Sequence, residues 1–387
     1  MEKYSFDEIN NRRGSGSVKW DEEAPDVLPM WVADMDFRTA PCIIDILKKR
    51  VEHGIFGYTY VMPEYYEALT SWFRRRHSWE IDPKDVIYTS GVVPAISAII
   101  KGMLRPGDGI IVQSPAYNCF FSSIRNNGCR LVEAPLTYHP DGYTIDFEEL
   151  ERVASEPWVK MLILCNPHNP VGRVWTREEL MRIGKICLNN NVFVLSDEIH
   201  CELTYEGHDY TPYQTLGEPF ALNSVACISP SKAFNTAGLQ IANIVCPDPE
   251  VRRKVDRGIN DNEVCDVNPF GVAGLIAAYN EGEQWLDDLR LYLWENYQTV
   301  RRFFESKLPK FPIQPLEGTY LVWINCKVTG MTSDLLSKEL IETEKIWLSP
   351  GTIYGEGGRD FLRLNIACPR SVLTEGLERL YNLLSKF

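Results

Sequence analysis

Val225-Ala226-Cys227-Ile228-Ser229-Pro230-Ser231-Lys232-Ala233-Phe234-Asn235 is an apolar run that breaks at a proline and presents a lysine just beyond two serines. A short apolar, β-branched run closed by a turn signal reads as a buried strand. Upstream, Val192-Phe193-Val194-Leu195-Ser196 reads the same way and ends at Asp197. Working outward, Val86 to Thr89, Ile110 to Val112, Leu131-Val132, Met161 to Leu164 and Ile244-Val245 are further strand-like runs between Asp85 and Val245. Pro94 to Met103 and Arg177 to Asn190 fall between them with helical patterns. Strand–helix alternation predicts an α/β domain whose largely parallel sheet is buried on both faces. Ligands on such sheets sit at the carboxyl ends of strands. Asp197, the turn Asn166 to Asn169 and Ser229 all lie there.

Beyond Gly282 the pattern changes. Trp285 to Leu308 predicts one long amphipathic helix, Tyr320 to Asn325 and Phe361 to Ile366 predict strands, and Leu373 to Phe387 a closing helix. A chain of 387 residues exceeds the roughly 250–300 at which one core stops growing. We therefore expect a large domain over 46–284 and a smaller α+β domain built from 1–45 and 285–387. The stretch before Pro41 has little periodicity and is expected to drape over the smaller domain or a partner.

Composition narrows the partners. Lys+Arg 40 against Asp+Glu 53 gives a net charge of -13, which disfavours nucleic acid and anionic membrane surfaces. No apolar run reaches the ~18 residues needed to span a bilayer. The start, Met1 to Asp7, has no apolar core, so no signal peptide is expected. The 11 cysteines contain no CxxC pair and read as reduced thiols of a cytoplasmic protein. There is no Walker A loop, no HExxH, no GxGxxG after a strand and no zinc spacing, so no metal site is expected.

The residues at the strand ends suit one cofactor. Pyridoxal phosphate needs an amine for its aldehyde, an anion for its pyridine nitrogen and hydroxyls for its phosphate. Lys232, Asp197 and the serines Ser229 and Ser231 supply them, although each alone is commonplace: a lysine is usually a surface cation and an Asp a helix cap.

Seven strings in order carry a wider resemblance. They are GIFGYTY (Gly54 to Tyr60), SGVVPAI (Ser90 to Ile96), SPAYNCF (Ser114 to Phe120), CNPHNPVGR (Cys165 to Arg173), LSDEIH (Leu195 to His200), SPSKAFN (Ser229 to Asn235) and LRLNIACPR (Leu362 to Arg370). The set resembles the fold type I pyridoxal-phosphate enzymes of the class I/II aminotransferase superfamily. WVADMDF (Trp31 to Phe37), DEIH and RLNIACPR are similar, more narrowly, to its cystathionine β-lyase branch, the MalY/PatB type. The resemblance implies the aspartate aminotransferase fold and covers nearly the whole chain.

It also implies roles. Lys232 would hold the cofactor covalently and shuttle the substrate Cα proton; Asp197 would pair with the pyridine nitrogen; Asn169 would donate to the phenolic oxygen; Tyr117 would stack on the ring. Ser229, Ser231 and the backbone N–H groups of Gly91, Val92 and Val93 would take the phosphate. Tyr58 would reach the phosphate of a neighbouring subunit, which makes a homodimer with shared sites the expected unit. Arg363 would grip the substrate carboxylate, with Ala33 and Tyr117 beside the substrate and Trp31 to Asp34 closing over it. Two departures stand out: His200 occupies a place where aminotransferases often carry tyrosine, and Gly238-Leu239-Gln240 supplies no phosphate-binding arginine.

The implied activity is β-elimination from L-cystathionine or another cysteine S-conjugate, yielding pyruvate, ammonia and a thiol. An aminotransferase shares the early steps and is the first rival. A non-catalytic sensor on the same fold is the second, disfavoured because Lys232, Asp197 and Arg363 are all present.

Overall fold

The computed structural model describes residues 4–261, 263 and 266–387; Met1 to Lys3, on which the signal-peptide reading partly rests, lie outside them. Seven strands form the central sheet: β1 (Val86–Thr89), β2 (Gly109–Val112), β3 (Arg130–Glu133), β4 (Val159–Cys165), β5 (Phe193–Asp197), β6 (Ser224–Ile228) and β7 (Ala242–Val245). Their spatial order is β1-β7-β6-β5-β4-β2-β3. Neighbours from β3 through β6 are parallel, and β7 runs antiparallel to both β6 and β1. Every residue of β2, β6 and β7 is buried. Such strands need no polar face, which is why they are continuous apolar runs in the sequence.

Five helices matter for the site: α1 (Pro63–His77), α2 (Val92–Met103), α3 (Arg177–Asn189), α4 (Glu283–Lys307) and α5 (Arg370–Leu384). Two glycines set the height of α2. A Cβ on Gly102 would meet the Lys254 carbonyl at 2.4 Å, and one on Gly258 would meet the Ala98 carbonyl at 2.3 Å. The helix Pro249–Asn260 therefore lies almost backbone to backbone with the second half of α2, at Ala98 and Gly102. At α3, Thr176 and Glu179 form a reciprocal capping box that ends the loop after Asn169 at a defined residue.

A second sheet has the order β8-β10-β9, from β8 (Leu321–Asn325), β9 (Ser349–Pro350) and β10 (Phe361–Asn365), all antiparallel. The predicted strands and helices are present with ends shifted by a few residues. The N-terminal stretch does drape: Leu28 and Pro29 pair in parallel with Ile346 and Trp347, and Asn365 N–H donates to the Met30 carbonyl. It also contains a short helix, Val18–Asp21, that periodicity did not reveal. Lys19 and Asp36 meet there at 2.8 Å, both buried, with Arg12 and the Trp20 indole on the other Asp36 oxygen. No helix among the described residues is long and apolar enough to cross a membrane.

Candidate active site

Four chain segments converge at the carboxyl ends of β4, β5 and β6. Asp197 is the last residue of β5, Asn169 sits in the loop after β4, Lys232 in the turn after β6, and Gly91 to Val93 open α2 after β1. Together with Ala33, Tyr117, His200, Ser231, Cys165, Ile199 and Gln240 they line a cavity of about 190 Å³. Ten of the thirteen residues singled out from sequence thus share one cavity wall.

The three others lie elsewhere. Arg363, on β10, adjoins the cavity: its Nη1 donates to Asn169 Oδ1 at 3.0 Å and its Nη2 to the Trp31 carbonyl at 2.8 Å. Its guanidinium also stands 4.9 Å from the Tyr354 ring centre. The Nε of this buried side chain has no hydrogen-bond partner among the described residues. Ser229 turns its hydroxyl away, donating to the Ile241 carbonyl at 2.6 Å while accepting from Ser231 N–H, so it braces Ser231. Tyr58 is 96% exposed in the single chain.

Charge in this cavity is arranged by burial. The Asp197 carboxyl is pushed up to about 7, first by burial and then by neighbouring Glu198, against the Ile199 N–H and Lys232. An acid so placed ionises readily only when a cation or a charged N–H arrives beside it. Lys232 is pulled down to about 8, again mainly by burial, assisted by the Arg363 charge and opposed by Asp34 and Asp197. Its Nζ donates to the Ala33 carbonyl at 2.6 Å, an acceptor shared with the Tyr320 hydroxyl at 2.9 Å. His200 is held well below its usual range by burial and by the cations Lys232 and Arg363, so it is a neutral imidazole. Its Nδ1 has no hydrogen-bond partner among the described residues. The cavity therefore offers an amine near neutrality, an acid awaiting a positive partner, and backbone N–H groups at a helix start suited to an anion.

The strap from Trp31 to Asp36 is held in register by two asparagines. Asn365 Nδ2 donates to the Val32 and Asp34 carbonyls, and Asn235 takes Met35 N–H while donating to the Met35 and Phe37 carbonyls. Sequence reading quoted both residues within longer strings but gave them no role. It also missed Tyr320 and Cys119, whose thiol faces the Tyr117 hydroxyl. Tyr320 starts a predicted strand and nothing local marks it; Cys119, two residues beyond Tyr117, was the nearer signal.

Known proteins resemble this chain over nearly its whole length. The family model "Aminotransferase class I and II" matches residues 25–380. The chain is 41% identical to cystathionine beta-lyase PatB of Bacillus subtilis (strain 168) over 386 residues, covering 98% of this chain and 100% of that one. It is 34% identical to protein MalY of Escherichia coli (strain K12), covering 98% of each. Among solved structures, cystalysin from Treponema denticola, which contains a pyridoxal 5'-phosphate cofactor, superposes with a TM-score of 0.96 at 35% identity over 99% of both chains.

Proposed function

The chain belongs to the aminotransferase class I and II family, and from that premise we propose that it is a pyridoxal-phosphate-dependent carbon–sulfur β-lyase acting on L-cystathionine or related cysteine S-conjugates. Its relatives named cystathionine beta-lyase, matched end to end, support this branch. The single observation that carries the reading is the meeting of Lys232, Asp197 and Asn169 in one cavity with Arg363 at its edge.

The cavity fits the cofactor. Asp197 is a buried acid whose carboxylate, among the described residues, accepts one hydrogen bond, from the Ile199 N–H at 3.2 Å, which leaves it suited to a pyridinium N–H. Bound there, pyridoxal phosphate supplies the electron sink for the pair left when a Cα–H bond breaks. Lys232 would anchor it, Asn169 would face its phenolic oxygen, Tyr117 its ring, and Ser231 with Gly91, Val92 and Val93 its phosphate. Ser229 supports Ser231 from behind, and His200 adds a neutral imidazole to the wall.

The remaining work falls to the chain. Arg363 presents a fixed fork to the substrate carboxylate, which points the Cα–H bond at Lys232. With a pKa near 8, the Lys232 amine can take that proton and return it without a large energy gap at neutral pH. Departure of the thiolate from Cβ and hydrolysis of the remaining fragment give pyruvate and ammonia. Ala33, with Trp31 to Asp34, lies over the Lys232 amine and limits water there.

We also propose a homodimer in which Tyr58 reaches the partner's phosphate site. Tyr58, Tyr60, Phe56, Ile55 and Met62 form an exposed apolar run that a second copy would cover. The separate sheets support a large domain over 46–284 and a small one from 1–45 with 285–387. The free thiols among the described residues suit a cytoplasmic location.

The test is incubation of purified, cofactor-loaded protein with L-cystathionine. Pyruvate and homocysteine released without any keto acid support the lyase. Turnover that strictly requires a keto-acid acceptor would make it an aminotransferase.

A further inference from the structure

Three parts of the chain meet at one oxygen. The Ala33 carbonyl accepts from Lys232 Nζ at 2.6 Å and from the Tyr320 hydroxyl at 2.9 Å. Lys232 comes from the turn after β6, Ala33 from the N-terminal strap, and Tyr320 from the position just ahead of β8. A carbonyl oxygen has two lone pairs, so the two donors can occupy it together.

Tyr320 is firmly planted. It is buried, its carbonyl accepts from Ile366 N–H at 3.0 Å, and the next residue, Leu321, pairs with Asn365 on β10. On its other side, Thr319 N–H donates to the Leu203 carbonyl at 2.7 Å, and the Thr319 carbonyl accepts from the Tyr205 hydroxyl at 2.7 Å. The ring stands edge-on to His200, with centroids 6.1 Å apart. Burial, helped by the Asp34 charge, holds the phenol well above its ordinary range, so the hydroxyl remains a donor. The flanking carbonyls of the strap, Val32 and Asp34, are both taken by Asn365 Nδ2. Between them, the Ala33 carbonyl is held by Tyr320 instead.

A neutral amine that donates one N–H to a fixed acceptor keeps its own lone pair free. The substrate Cα proton can pass onto that lone pair, while the electron pair of the broken bond goes to the bound cofactor. The ammonium so formed has a charge-assisted hydrogen bond to the same carbonyl waiting for it. Where the carbonyl stands therefore decides where the amine waits, and small displacements of a reacting group are costly in rate. We propose that Tyr320 is a positioning residue: its hydroxyl fixes the Ala33 carbonyl, which holds the free Lys232 amine where it captures the cofactor and carries the Cα proton. This rests on the reading of Lys232 as the proton-carrying amine.

Tyr320→Phe keeps the ring and removes the hydroxyl. Two measurements read the amine, and neither needs a leaving group at Cβ. First, cofactor-free protein is mixed with pyridoxal phosphate and the growth of visible absorbance is followed. In the variant this capture should slow about three- to tenfold and still reach the full final absorbance. Second, cofactor-loaded protein is kept with L-alanine in D2O, and loss of the Cα–H signal is followed by NMR. The maximal exchange rate should fall about tenfold, while the alanine concentration giving half that rate changes by less than about twofold.

Wild-type rates in both measurements would overturn the proposal, with or without a lowered unfolding temperature, because a purely structural role would leave them unmoved. A loss confined to alanine affinity would also overturn it, by placing the hydroxyl in substrate binding. If wild type captures the cofactor but exchanges no Cα–H, the proton-carrying role of Lys232 falls and this proposal with it. If wild type captures no pyridoxal phosphate, the cofactor reading itself fails.

Discussion

Arg363 Nη1 donates to Asn169 Oδ1 at 3.0 Å, joining a strand of the small sheet to a loop of the large one across 194 residues of sequence. The guanidinium is thereby fixed in orientation before any substrate arrives, and its Nε is left without an acceptor among the described residues. A carboxylate is the natural partner for such a fork.

Replacing Arg363 by lysine keeps the charge and loses the fork. We expect kcat/KM for cystathionine to fall about a hundredfold, because a point charge cannot hold Asn169, the Trp31 carbonyl and a carboxylate together. Steady-state kinetics checks this; an unchanged KM and kcat would show that the carboxylate binds elsewhere.

Lys232→Ala should abolish the visible absorbance of bound pyridoxal phosphate and reduce pyruvate release by about three orders of magnitude or more. Spectra of the reconstituted variant and a coupled pyruvate assay are sufficient. Retention of both signals would place the reactive amine elsewhere.

Asp197 makes a prediction about stability. Its carboxyl is raised from 3.8 to about 7 in the folded chain. The folded state therefore binds this proton more tightly than the unfolded state between those values. Stability of the cofactor-free protein from this group is accordingly lost as pH rises from about 4 to about 7. Asp197→Asn removes that slope. At pH 8 the cofactor-free variant should be more stable than wild type by on the order of 2–4 kcal/mol, while binding pyridoxal phosphate far more weakly. Denaturant titrations at pH 5 and pH 8 test both arms.

The strap over the site depends on Lys19 and Asp36, paired at 2.8 Å inside the protein. Asp36→Ala leaves the buried Lys19 with only the more distant Asp34 carboxylate at 3.7 Å, while Arg12 keeps Asp34 at 2.6 Å. It should cost about 3–5 kcal/mol in unfolding free energy. Truncating both partners, as Lys19→Met with Asp36→Leu, should recover part of that loss. A cycle showing simple additivity would mean that the pair is not coupled.

Much of the fold was legible because the central strands announce themselves. Val225 to Ile228 and Met161 to Leu164 are buried on both faces, so burial and sequence pattern coincide. The α1 segment was harder: Pro63–His77 mixes aromatics with four basic residues in its last turn, and its apolar face is recognisable only once Trp72 and Phe73 are seen packed on Tyr279. Ser229 illustrates a subtler limit. It lies in the SPSK string, yet its hydroxyl donates to the carbonyl of Ile241, the residue just ahead of β7, and it does not line the cavity.

By itself the sequence determined the alternation of strands and helices, the amine and acid placed at strand ends, and the loop that carries Asn169. These are encoded locally, in apolar runs and the turn residues that close them. Only the tertiary structure decided that Arg363 meets Asn169, that the Ala33 carbonyl caps Lys232, and that Glu198 faces away from the cavity beside its neighbour Asp197. Such choices depend on which donors other segments bring to a buried side chain, and that follows from packing the whole chain at once.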